Sequence, residues 1–80
     1  MSVVTIYSRD GCHLCEQAER IVRFVQRDQP FELRIVDIDR DDALRQKYNE
    51  DVPVIAIDGA DVFRHGVSSD EFRKRLKAAG

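Results

Sequence analysis

The spacing of apolar and polar positions along the 80 residues changes several times, and each change predicts an element. Val3-Val4-Thr5-Ile6-Tyr7 is a short β-rich apolar run, read as a first strand. Ser8-Arg9-Asp10-Gly11 is a turn cluster. From His13 to Arg27 the positions Leu14, Ala18, Ile21, Val22 and Val25 recur at helical spacing, while Glu16, Gln17, Glu19 and Arg23 cover other faces, so an amphipathic helix is predicted. Gln29-Pro30 breaks it, because proline disfavours helix at the preceding residue. Phe31 to Ile38 alternates well enough for a second strand.

Asp39 is expected to cap a short helix reaching Tyr48, with Asp41 and Asp42 early and Arg45 and Lys47 late, as the helix dipole favours. Val54-Ile55-Ala56-Ile57 is uninterrupted and predicts a strand buried on both faces. Asp58-Gly59 suits a hairpin turn, with Val62-Phe63-Arg64 as the return strand. Ser68 and Glu71 offer a capping box for a last helix carrying Phe72 and Leu76. The resulting order is β-α-β-α-β-β-α in one domain, residues 1–80. A right-handed first crossover makes strands one and two parallel, and the hairpin adds an antiparallel pair. Periodicity therefore supports a mixed α/β sheet with helices on its faces.

Composition narrows the class. A hydrophobic share of 42% beside 35% charged residues is that of a globular chain. The net charge of −2 and the absence of a Lys/Arg block of five disfavour phosphate tracking, so no nucleic-acid partner is expected. Met1 to Tyr7 lacks the basic and apolar regions of a signal peptide, and Arg9 and Asp10 follow at once, so neither export nor a membrane span is expected. The expected location is cytoplasmic, where thiols stay reduced unless they cycle.

Cys12-His13-Leu14-Cys15 then requires a reason other than stapling a secreted fold. At a helix N-terminus, unpaired N–H groups and the dipole favour a thiolate, so Cys12 is the candidate nucleophile. Cys15, three residues on, is placed to attack a mixed disulfide formed at Cys12. His13, as an imidazolium, would stabilise that thiolate; otherwise it is a solvated first-turn residue. Arg9 would add positive potential if it folded toward Cys12, and Asp10 opposes it. Other readings of the pair stay open: a structural disulfide, a zinc or iron–sulfur carrier using the same thiolates, or a redox-inactive adaptor. Within one chain His13 and His65 are the only further nitrogen ligands, and no resident metal is expected. His65 reads as a strand-end surface residue. Val52-Pro53, just before the buried strand, belongs at a strand start or a special turn.

Taken together, Ile6 to Cys15, Asp51-Val52-Pro53, and Ile57-Asp58-Gly59 followed by Ser69-Asp70 resemble the glutaredoxin-like proteins of the thioredoxin-like superfamily, over nearly the whole chain. The resemblance is nearest to small bacterial proteins carrying C-H-L-C. It implies a minimal thioredoxin fold, a four-stranded mixed sheet with three helices. It also implies a cis Val52–Pro53 bond facing Cys12, and recognition of an extended substrate by Val52 backbone groups. Leu14, Pro53 and Asp70 complete the implied substrate contacts, and Arg9 stands at the family's basic position. The implied activity is thiol–disulfide exchange on a protein disulfide or a glutathione mixed disulfide. It needs no tightly bound cofactor, allows glutathione as co-substrate, and suits a monomer. Where such proteins carry Pro-Tyr between the cysteines and threonine before Val-Pro, this chain has His13-Leu14 and Asp51.

Overall fold

The computed structural model describes residues 2–79. In chain order it contains β1 (Val3–Ser8), α1 (His13–Gln26), β2 (Glu32–Asp37), a 3₁₀ turn (Ile38–Arg40), α2 (Asp42–Tyr48), β3 (Val54–Ile57), β4 (Ala60–Arg64) and α3 (Ser69–Ala79). The sheet order is β2-β1-β3-β4. β1 and β2 are parallel, whereas β3 runs antiparallel to both β1 and β4. This is the α/β minimal thioredoxin fold, a four-stranded mixed sheet with three helices.

The two faces of the sheet explain the uninterrupted apolar run of β3. On one face Ile55 and Ile57 join Val4 and Ile6 beneath α1 and α3, which supply Ala18, Val22, Val25, Phe72 and Leu76. On the other, Val54 packs with Ile38 and Tyr48 beneath α2. Tyr48 stacks on Tyr7 with centroids 4.5 Å apart, and its hydroxyl donates to the Asp61 carboxylate at 2.9 Å. A strand flanked by helices on both sides has no solvent face to make polar.

Two boundaries differ from expectation. Asp39 does not cap the middle helix. Asp37 accepts from the Asp39 N–H to hold the 3₁₀ turn, and Asp41 caps α2 by accepting from the N–H groups of Ala43 and Leu44. The alternate aspartates 37, 39 and 41 are equivalent by local pattern; Asp39 is excluded because Arg9 occupies its carboxylate. β4 begins at Ala60 rather than Val62, because a bulge opposite Ile55/Ala56 lets it start directly from the turn. That turn has Asp58 and Gly59 at φ 51° and 89°, the left-handed pair a two-residue hairpin needs.

The register also defines one end of the molecule. Ser8 lies opposite Asp37, Tyr7 opposite Val54, and Val54 opposite Arg64. The chain therefore leaves or enters the same end of the sheet in the segments after β1, after β2, before β3 and after β4. Among the described residues no helix is long and apolar enough to cross a membrane.

Candidate active site

The segment leaving β1 carries the cysteines. Gly11 turns the chain at φ 75°, a conformation costly for a side chain, and delivers Cys12 in extended geometry (φ −94°, ψ 104°) as the N-cap of α1. The Cys12 carbonyl accepts the first helical bond from the Glu16 N–H, at 3.1 Å. Its Sγ accepts from the Cys15 N–H at 3.1 Å, taking the place a serine or aspartate oxygen usually holds at an N-cap. Cys12 and Cys15 form a disulfide, with Cα atoms 5.2 Å apart.

The two sulfurs are not equivalent. Cys12 is half-buried at the helix mouth, whereas Cys15 is only 4% exposed, fixed beneath the first turn. An outside disulfide reaches Cys12 first. After reduction, the donor that now faces its sulfur would face its thiolate, and charge strengthens such a bond. Glu16 in the same first turn opposes this with its own charge.

The other predicted site residues divide. Leu14 is 51% exposed beside Cys12, an apolar side chain left at the site's rim. His13 points into solvent, with Nδ1 3.7 Å from Glu16 Oε2, so any positive charge it carries is partly matched there. Pro53 is buried and Val52 half-buried against the cluster of Ile38, Tyr48 and Val54, and the peptide bond between them is cis. Asp70 is exposed in the first turn of α3, which Ser68 Oγ caps by accepting from the Glu71 N–H.

Arg9 is committed elsewhere. Its Nη2 and Nε donate to the two Asp39 oxygens at 2.6 and 3.1 Å, and Nη1 donates to the backbone and side-chain oxygens of Asn49. It ties the segments after β1, after β2 and before β3 together, and its charge is paired rather than free. The guanidinium holds the Asp39 carboxyl below its usual pKa through that hydrogen bond, against a smaller opposing effect of desolvation. A depressed carboxyl stabilises the fold above its unfolded pKa, and the contribution is lost as pH falls through the folded value. Arg9→Gln should therefore lower the urea midpoint at neutral pH. The gap from wild type should shrink in acid buffer as Asp39 is protonated; a gap independent of pH would refute the pairing.

Sequence reasoning missed a second tie. The His65 N–H, at φ 68°, donates to both Asp51 O and Pro53 O, while Arg64 Nη1 donates to Asp51 Oδ2 at 2.7 Å. The loop before β3 is thus held from the end of β4. His-Gly after a strand is the one local hint of a left-handed residue. Among the described residues, no three His, Cys, Asp or Glu side chains converge as a metal ion requires.

Comparison with known proteins adds to this geometry. The glutaredoxin-like domain (DUF836) matches residues 3–77. A glutaredoxin-like protein of Dictyostelium discoideum is 32% identical over 74 residues, covering 85% of this chain and 68% of the relative. A solved protein of Nitrosomonas europaea superposes with TM-score 0.81 at 31% identity, covering 94% of this chain and 91% of its own. One of Xanthomonas campestris gives 0.80 at 32%, covering 96% and 99%. Thioredoxin-2 of the malaria parasite shares the fold at 20% identity, with TM-score 0.73 and coverage of 98% and 82%.

Proposed function

Because the chain belongs to the glutaredoxin-like family of the thioredoxin superfamily, we propose that it is a thiol–disulfide oxidoreductase working through Cys12 and Cys15. The observation that carries this reading is the asymmetry of the pair: an accessible N-cap sulfur receiving an N–H, and a buried partner within bonding reach.

In the reduced protein the Cys12 thiolate attacks one sulfur of a substrate disulfide. The substrate S–S bond breaks, its other sulfur leaves as a thiolate and takes a proton, and a mixed disulfide stands on Cys12. Cys15, having lost its proton, attacks Cys12 Sγ. The mixed disulfide breaks, the second substrate thiol departs, and the Cys12–Cys15 disulfide remains. The substrate gains two electrons and two protons, which an external thiol must return to the protein.

We assign an extended substrate segment to the backbone of Val52 beside Pro53, with Leu14 and Asp70 at its edges and His13 acting on the site's potential, while Arg9, paired with Asp39 and Asn49, holds the surrounding segments together. The substrate in this reading is a disulfide of a partner protein or of glutathione, and no cofactor is held tightly. The protein would act as a cytoplasmic monomer.

Alkylation of the reduced protein by iodoacetamide across a pH series tests the activated thiol. Cys12 should react with an apparent pKa below the ~8.5 of free cysteine. A value at or above that figure would remove the activated nucleophile.

A further inference from the structure

Charge is distributed unevenly between the two ends of the sheet. The four segments at the redox end, residues 9–16, 37–41, 49–53 and 64–71, hold nine carboxylates against Arg9, Arg40 and Arg64, a net of −6 with histidines neutral. The whole chain carries −2, so everything else carries +4. All three guanidinium groups at the redox end are also paired, Arg9 with Asp39 at 2.6 Å, Arg64 with Asp51 at 2.7 Å and Arg40 with Asp37 at 3.8 Å. Among the described residues Asp10, Glu50, Asp70 and Glu71 form no ion pair, and all four are exposed. The unmatched charge facing an incoming substrate is negative.

A second feature of the same rim concerns size. Leu14, two residues from Cys12 in the first turn of α1, keeps half its surface in water. Such a side chain favours an apolar contact with a polypeptide over a small, fully ionised thiol.

We propose that the disulfides this site reduces lie in polypeptide segments flanked by lysine or arginine, drawn to Cys12 by the acidic rim and seated on Leu14. This rests on the oxidoreductase reading and supplies its substrate class. The rim acts mainly on encounter: a field of one sign around a cleft raises the association rate of oppositely charged partners and is screened by salt. It repels an anionic segment by the same mechanism.

The test compares two synthetic peptides with the same disulfide ring, one flanked by lysines and the other by glutamates. Each is reduced by the reduced protein without oxygen, and each rate is divided by that for dithiothreitol, which removes intrinsic differences between the disulfides. At low ionic strength the lysine peptide should be favoured about tenfold. That ratio should collapse toward one in molar salt, and should fall in an Asp10→Asn, Glu50→Gln, Glu71→Gln variant. Equal normalised rates at low salt, or a preference for the glutamate peptide, would overturn the charge proposal while leaving the oxidoreductase intact. If dithiothreitol reduced both peptides and the protein neither, the oxidoreductase reading would fall, and this inference with it.

Discussion

Replacing Cys12 by serine is expected to lower disulfide exchange at least about 1000-fold, roughly 4 kcal/mol of barrier, while Cys15→Ser leaves the first attack working and halts the cycle after it. The difference follows from position. Cys12 sits at the helix mouth, half-exposed, and a serine there would still cap α1 through its hydroxyl, so the fold should survive the loss of the nucleophile. Cys15 lies under the first turn at 4% exposure and meets no outside disulfide directly. In Cys15→Ser the mixed disulfide on Cys12 has no internal thiol to resolve it. It should accumulate to near one equivalent, visible by intact mass, and its adduct names the partner. If Cys15→Ser cycled at the wild-type rate with a protein disulfide, the resolving role would be wrong. If Cys12→Ser retained exchange, the nucleophile would be misassigned.

Phe72→Ala should cost about 3–5 kcal/mol. A chain of this length is stable by only about 4–12 kcal/mol in total, so the variant should lose most of its urea midpoint. Phe72 is fully buried; its ring meets Phe31 edge-on at 5.7 Å and Phe63 at 6.5 Å. It thereby anchors α3 over β4 and over the chain entering β2. Removing it opens a space that neighbours fixed on separate elements cannot fully collapse to fill. Phe72→Leu keeps most of the volume and should cost less than half as much. Equilibrium unfolding in urea separates the cases, and an alanine variant with the wild-type midpoint would show that α3 is held by something other than this aromatic cluster.

Local pattern predicted every strand and the three α-helices, because apolar periodicity, an uninterrupted apolar run such as that of β3, and cap or turn residues are all displayed within a short stretch of chain. It also placed the cysteines at a helix start: a turn cluster ending in glycine, then an apolar helical stripe, leaves Cys12 nowhere else to be. That the two cysteines lie within bonding reach was legible for the same reason, since a three-residue spacing at an N-terminus is itself local.

Partner choice was not legible. Three aspartates at alternate positions offered the same cap, and the one chosen depended on Arg9, 30 residues from Asp39 in sequence. Arg9 itself read as a cation available to Cys12; the fold instead spends it on Asp39 and on Asn49, 40 residues away. Asp51 read only as an acid where related proteins carry threonine, yet Arg64, 13 residues on, pairs with it. His65 read as a plain surface residue, although its N–H holds the loop on both sides of Val52. A period constrains neighbours on one element and carries nothing about which elements meet end to end. The sequence by itself therefore determined the elements and the place of the Cys12/Cys15 pair at the start of α1. Only the sheet register, by bringing four segment ends together, decided which charges at the site are paired and that those left facing a substrate are acidic.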